Sequence, residues 1–395
     1  MGKRENYDLD LKKYKFMKKV ATPFVKSKFN FIQKEPIKMP DVPFILVCNH
    51  VTNLDMVWVG CSIDKHLYFV SSEHVVRKGI GGKLLENIFH PIVREKATVG
   101  LSTVVEMKNH LQAGHNVGIF AEGVRSADGL SNKIVPSTAA VIKKLGFTLV
   151  TFKVHGGFLT SPRWASDVRR GEITTELVNI YTPEDIKSLS AKELDAKINE
   201  DIFEDAYAYN ETRKIAYKSK KLAEGIEFEL VVCPKCRKFS TIKSQNNRFM
   251  CDCGLKGVYN EYGLLSGEGF DFTKIPEWDI WQKDEIANFV KDLDKDGEEI
   301  TIISHPNQEL REVSKDHTER VAATGALSLS NRYLSVGDKK IAIEDISGYD
   351  IFFHGYLLIF TKDKKYYEIS NPKNKYPGYL YKLLIENLIT LNTGK

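Results

Sequence analysis

Three short apolar runs in the first 160 residues each stop abruptly on polar, chemically capable side chains, and this repetition constrains the fold more than any other feature. FILVC, Phe44 to Cys48, runs into Asn49 and His50, with Asp55 following. A second run, in HPIVRE, ends on Arg94. The third, Asn116 to Phe120, runs into Glu122, Gly123, Arg125 and Ser126. Short apolar runs bounded by polar residues read as fully buried strands, which belong to sheets covered on both faces. Ligands in such sheets sit where strands end. The fold class is therefore α/β, a mixed sheet flanked by helices, with its chemistry at the strand ends.

On one α-helix, residues five apart lie about 140° around the axis and cannot touch. His50 or Asp55 must then lie off the helix. The simplest arrangement ends the strand at Cys48, puts His50 in a loop, makes Thr52 or Asn53 the N-cap, and sets Asp55 in the first helical turn, where a carboxylate suits the dipole. The loop then folds His50 back onto Asp55. Taken alone, the pair is also what a core strand followed by a capped helix with a surface histidine looks like, and that plainer reading stands until a second feature breaks the tie. GIFAEGVRS, Gly118 to Ser126, is that feature: glycine lets a backbone approach a ligand closely, and a guanidinium beside a hydroxyl suits a phosphate.

Asn49-His50-x4-Asp55 followed about seventy residues on by Glu122-Gly123-Val124-Arg125-Ser126 resembles the glycerolipid acyltransferase family, to which 1-acyl-sn-glycerol-3-phosphate acyltransferases belong. With Arg94 in an intermediate block, the resemblance covers roughly residues 30 to 180. Three positions depart from the family pattern. Val124 replaces a threonine, Ser71 or Ser72 stands where a lysine is common, with Arg77 and Lys78 close by, and Thr151 replaces a proline.

The resemblance implies transfer of a fatty acyl group from an acyl thioester, carried on coenzyme A or acyl carrier protein, to the hydroxyl of lysophosphatidate or a similar lysophospholipid. Glycerol-3-phosphate is the alternative acceptor, and a non-catalytic lipid-binding scaffold is the alternative of another class. His50 is then the general base, since neutral imidazole suits that task near pH 7. Asp55 fixes its tautomer, as the carboxylate does in a Ser-His-Asp triad. No catalytic cofactor is needed, because the acceptor's own hydroxyl attacks. Backbone N–H groups from Asn49 to Thr52 are candidate oxyanion donors. Arg125, Arg94 and Ser126 hold the acceptor phosphate, with Gly123 and Asn49 at the same site, and Glu122 orients Arg125 or a glycerol hydroxyl. For Arg94 the plain alternative is a surface arginine.

The 395 residues, 42% hydrophobic, exceed one typical domain. The lysine-rich first twenty residues contain no apolar core segment of a signal peptide, and no eighteen apolar residues run together. The expectation is a cytoplasmic protein, peripheral on the inner face of the membrane. Residues 1 to 40 hold eleven Lys/Arg against four Asp/Glu, a net +7 that leaves −2 for the rest. Within residues 1–30, Leu9, Phe16, Met17 and Val20 fall on one helical face, with Lys12, Lys15, Lys18 and Lys19 mostly opposite and Lys13 interrupting the stripe. Such a helix suits an anionic membrane surface, or else packs its stripe on its own domain. Nucleic acid is disfavoured, since no base-stacking aromatic pattern accompanies the charge.

An acyltransferase domain over 31–225 closes with a polar stretch from Thr182 to about Leu222, read as two solvated helices. Cys233 and Cys236, then Cys251 and Cys253 after fourteen residues, read as a zinc ribbon over 226–262. A structural zinc is preferred over a disulfide pair or an iron-sulfur site. Cys48 and Cys61 read as core residues. A linker is expected over 263–299, its stretch from Asp292 to Glu299 charged and turn-like. From 300 to 395, turn-punctuated period-two runs followed by an amphipathic helix after Pro377 read as a mostly-β domain. Leu-Ser-Asn-Arg-Tyr-Leu followed by Ile-Glu-Asp-Ile makes this segment resemble the pleckstrin-homology-like group. Lipid binding is the sharp reading of that domain, and protein docking or a purely structural role the plain one.

Overall fold

A strand such as FILVC carries apolar side chains on both of its faces, so it is stable only between two covered layers. The computed structural model, which describes residues 7–72, 90–94, 100–293, 297–314, 318–352 and 355–393, places it there. The chain forms two compact units, Met1–Pro162 with Val168–Lys218, and Arg163–Asp167 with Ser219–Lys395.

In the first unit, helix α1 (Tyr7–Phe29) precedes β1 (Phe44–Cys48), α2 (Asp55–Ser62), β2 (Leu67–Ser72), β3 (Ile92–Arg94), α3 (Leu101–Gln112), β4 (Asn116–Phe120), α4 (Thr138–Leu145), β5 (Thr148–His155) and β6 (Thr174–Tyr181). Three short helices follow: α5 (Pro183–Ser188), α6 (Ala191–Ile202) and α7 (Ala206–Arg213). The sheet runs β3-β2-β4-β1-β5-β6, parallel except for β6. All five residues of β1 are buried at its centre. On one face Ile45, Val47, Val117 and Leu149 share a core with Ile142 and Ile198 of the covering helices.

Two expectations are corrected in this unit. The polar stretch after Thr182 forms three helices where two were expected, because Thr182, Ser190 and Asp205 each supply an N-cap that starts a new helix. Of the α1 stripe only Met17 is partly buried, and Leu9, Phe16 and Val20 do not pack on the domain. Asp10, Tyr14, Val25 and Phe29 form the buried face, with Tyr14 Oη donating to Gly60 O at 2.7 Å and Phe29 set edge-on to Trp58. Leu9, Phe16 and Val20, joined by Phe24, lie on the opposite side and are about half exposed or more, Phe16 reaching 66%.

The second unit begins with an antiparallel sheet of β7 (Ile242–Gln245), β8 (Arg248–Cys251), β9 (Lys256–Tyr259) and β10 (Leu265–Glu268), followed by α8 (Ile275–Lys291). Then come β11 (Thr301–Val313), β12 (Glu319–Ser330), β13 (Tyr333–Val336), β14 (Lys339–Ala342), β15 (Ile346–Ile351), β16 (Tyr356–Thr361) and β17 (Tyr366–Ser370). They form one antiparallel sheet, ordered β14-β13-β12-β11-β17-β16-β15. Helix α9 (Gly378–Thr393) completes its core with Leu380, Leu384, Ile385 and Leu388. The expected linker over 263–299 is corrected. It holds β10 and the 17-residue α8, whose Trp278, Gln282, Ile286 and Val290 recur every four residues and are buried.

Candidate functional site

Strand register builds the site. β1 and β4 are parallel neighbours with Cys48 opposite Phe120, so residues two beyond each strand end lie side by side. These are His50 and Glu122. His50 N donates to Glu122 Oε1 at 2.7 Å, and Ser126 N donates to His50 O at 2.8 Å. The two motifs, about seventy residues apart in sequence, thus share one loop cluster.

Asp55 is the first residue of α2 and is 1% exposed. Its Oδ2 accepts from His50 Nδ1 at 2.7 Å, Val51 N at 2.7 Å and Thr52 N at 2.9 Å, while Oδ1 accepts from the Thr52 hydroxyl at 2.7 Å. A carboxylate facing Nδ1 keeps the proton there and leaves Nε2 with its lone pair. The His50 side chain is 24% exposed, and Phe120 stacks on its ring with centroids 4.7 Å apart. Phe69 in turn stacks on Phe120 at 5.7 Å. That layer requires glycine at 118, where a Cβ would stand 2.6 Å from the Phe69 ring.

Several expected roles change. The N-cap of α2 is Leu54, with no side-chain cap, because the Thr52 hydroxyl is taken by Asp55 and also accepts from Leu54 N and Trp58 Nε1. The backbone N–H groups of His50, Val51 and Thr52, expected as oxyanion donors, all go to carboxylates. Asn49 is fully buried and clips β1 to β5, its Nδ2 donating to Val154 O at 2.9 Å and its Oδ1 accepting from Val154 N at 2.8 Å. Ser126, also 0% exposed, accepts from Gly129 N and so shapes its own loop. These residues hold the site rather than face a substrate.

Glu122 receives both Asn132 N (2.7 Å) and Asn132 Nδ2 (3.2 Å) on Oε2, so it ties the third motif to the His50 backbone. Neither role expected for it, toward Arg125 or a glycerol hydroxyl, is needed to explain its burial. Burial pushes its carboxyl up to about 8, against the opposing pull of the His50 and Asn132 donors. Thr151, at the position where the resemblance leads to an expected proline, donates its hydroxyl to buried Asp201 at 2.8 Å. Gly123 turns the chain at φ +75°. Arg125 is partly exposed on the loop that Ser126 fastens to His50.

Arg94 ends β3, with Ser72 opposite it on β2, and its Nε is buried without a hydrogen bond among the described residues. It lines an apolar cleft whose walls include Val70, Met107, Ile119, Phe120 and Ile142. Phe120 is therefore both the wall of an apolar cleft and the platform of His50. Arg77 and Lys78 lie outside the described residues. Sequence reasoning passed over Asn132, took Phe120 only as a strand end and Thr52 only as an N-cap or backbone donor; the spacing of Thr52, three residues before Asp55, carried the local signal of a hydroxyl-carboxylate turn.

Elsewhere, in the second unit, the sulfur atoms of Cys233, Cys236, Cys251 and Cys253 lie within 4.8 Å of one another. Cys48 and Cys61 are buried in the first unit, as expected of core residues. No described helix is long and apolar enough to cross a membrane.

Residues 28–155 match the sequence family described as Acyltransferase. Among solved structures, the 1-acyl-sn-glycerophosphate (LPA) acyltransferase PlsC from Thermotoga maritima is similar at 19% identity, with a TM-score of 0.42, over 53% of this chain and 83% of that one. No curated protein sequence matches the chain.

Proposed function

We propose, from the premise that residues 28–155 are a domain of the acyltransferase family, that this enzyme moves a fatty acyl group from a thioester to the free hydroxyl of a lysophospholipid such as lysophosphatidate. The observation that carries the reading is the 2.7 Å contact between His50 Nδ1 and Asp55 Oδ2 beside an apolar cleft. A binding module has no need of a base whose second ring nitrogen is left open.

In the proposed reaction His50 Nε2 takes the acceptor's hydroxyl proton as its oxygen attacks the thioester carbonyl. The tetrahedral intermediate collapses, the C–S bond breaks, and the leaving thiolate takes the proton from the imidazolium. Asp55 stabilises that cation and its orientation. The cleft beside Phe120 is suited to the acyl chain. Partly exposed Arg125, with Arg94 at the cleft, is suited to the acceptor's phosphate. Purified protein given a labelled acyl thioester, on coenzyme A or on acyl carrier protein, with a panel of lysophospholipids and glycerol-3-phosphate, tests the assignment. Acylated product with none of these acceptors refutes it.

If Arg125 anchors the phosphate, Arg125→Ala raises KM for a phosphate-bearing acceptor roughly 10- to 100-fold, the range of a hydrogen bond to a charged group. KM for the acyl donor stays near normal. An equal rise for both substrates takes Arg125 out of the acceptor site.

The exposed face of α1 supports membrane contact. Leu9, Phe16, Val20 and Phe24 form one stripe at 100° per residue, and Lys12, Lys15, Lys19 and Lys26 run along its flank. Each basic residue contributes on the order of 1 kcal/mol near an anionic leaflet. Phe16→Asp combined with Val20→Asp changes exposed positions, so the variant keeps its fold but loses binding to anionic vesicles. Raising salt on the unaltered protein weakens binding in the same direction. Sedimentation with vesicles checks both, and undiminished binding by the double variant assigns the contact elsewhere. The second unit, with its long antiparallel sheet and α9, is read as an accessory part, and the pleckstrin-homology-like reading of residues 300–395 belongs to this proposal.

A further inference from the structure

The four cysteines of the second unit lie outside the family match and outside the acyl-transfer chemistry. They sit on two turns closed by paired hydrogen bonds in the same order, the second one residue shorter than the first, built from unlike sequences. In the first, Arg237 N donates to Cys233 O at 2.8 Å, Cys233 N donates to Lys238 O at 3.1 Å, and Arg237 takes φ +57°. In the second, Gly254 N donates to Cys251 O at 3.0 Å, Cys251 N donates to Leu255 O at 3.0 Å, and Gly254 takes φ +91°. Each turn presents two sulfurs to the other.

The sulfur atoms of Cys233 and Cys253 are 3.6 Å apart, and those of Cys236 and Cys251 are 3.9 Å apart. Both separations are far beyond a disulfide bond of about 2.05 Å. They match the edge of about 3.8 Å that follows from four sulfurs placed tetrahedrally around zinc at about 2.3 Å. Four protein thiolates fill the coordination sphere, so a metal held here has no position for water or substrate.

Cys233 is also wired into the rest of its unit. The two residues before it are held by α8: Gln282 Oε1 accepts from Val231 N at 2.9 Å, and Trp278 Nε1 donates to Val232 O at 3.0 Å. Gln282 Nε2 donates to Asp279 Oδ1 at 2.8 Å, which also accepts from Tyr379 Oη of α9 at 2.8 Å. Trp278, Asp279 and Gln282 are all 0% exposed. A buried polar chain thus runs from the first cysteine turn through α8 to the helix that closes the large sheet, and breaking it at one end leaves buried donors and acceptors unpaired along its length.

The geometry points to one zinc ion held by the thiolates of Cys233, Cys236, Cys251 and Cys253, which acts as the clasp of the whole second unit rather than of a ribbon folding by itself. Binding converts four thiols to thiolates and releases their protons, so the metal's binding free energy enters the folding of everything tied to Cys233. This inference does not rest on the acyl-transfer reading.

The test uses the full-length chain purified without chelator. Elemental analysis is expected to give one zinc per chain, and exchange with cobalt a tetrahedral thiolate spectrum. Cys253→Ser lowers the zinc content, whereas Cys61→Ser leaves it at one. Stripping the metal with a chelator is then expected to remove hydrogen-exchange protection from β7–β10 and equally from α8 and α9, while β1 and α2 keep theirs. Absence of zinc, a different bound metal, or full zinc retention by Cys253→Ser overturns the site. Zinc present but protection of α8 and α9 unchanged on stripping overturns the clasp. If Cys253→Ser does not fold, metal content and cobalt spectrum of the unaltered chain still decide the site.

Discussion

His50→Ala is expected to lower kcat by roughly 100- to 10,000-fold, the usual worth of a general base, while the melting temperature barely moves. The ring is 24% exposed, and its one described hydrogen bond is to Asp55. Asp55→Asn is expected to behave differently. The Asp55 carboxylate accepts from Val51 N, Thr52 N, the Thr52 hydroxyl and His50 Nδ1. An asparagine amide must turn its own N–H groups toward some of these donors, which costs about 1–3 kcal/mol as well as the charge that stabilises the imidazolium. Turnover and stability should therefore fall together at Asp55 and separate at His50. Measuring kcat and melting temperature on both variants decides the matter, and normal turnover by His50→Ala would sink the catalytic assignment.

Glu122→Gln is the second large effect. The glutamate is 5% exposed and spends one oxygen on His50 N and the other on Asn132. Above a pH of about 8, where the carboxyl is ionised and both oxygens accept, glutamine has one acceptor where two are needed, so an N–H meets an N–H on one side, and displacement of the His50 loop is expected to reduce kcat on the order of 100-fold. Acceptor KM should change little. A large KM rise with kcat intact would make Glu122 a substrate ligand. The pH dependence carries a separate signature. Burial raises the carboxyl from its ordinary 4.5 to about 8, so between those values the folded chain binds a proton that the unfolded chain has released. The stability Glu122 contributes is full below about 4.5 and is lost as pH rises toward about 8. The stability difference between unaltered protein and Glu122→Gln should shrink across that window. A difference that is flat with pH would mean the carboxylate is ionised throughout.

Patterns of local physical origin could be read along the chain. The uniformly apolar FILVC and the run from Asn116 to Phe120 carried their burial in their own composition, and both became central parallel strands. Four cysteines at paired spacing marked a cluster, and the heptad-like spacing after Pro377 marked α9, because each depends on residues close in sequence. Helix α8 escaped notice although its buried residues recur every four positions, since charges interrupt the pattern and the flanking turn residues read as a linker.

Which way each polar side chain would be used was settled by long-range register. Cys48 lies opposite Phe120, so His50 meets Glu122, a residue 72 positions away in sequence. Asn49 and Ser126 looked the same in sequence as substrate ligands, yet Val154, 105 residues from Asn49, and the His50 carbonyl make them internal ties. The stripe of α1 was visible as a helical face, but its exposure was not. That followed from Tyr14 and Phe29 finding Gly60 and Trp58, contacts that no window of sequence contains. Side-chain chemistry and short periodicities are properties of neighbouring residues. The partner that satisfies a buried polar group is chosen by strand pairing, and strand pairing is a property of the folded chain.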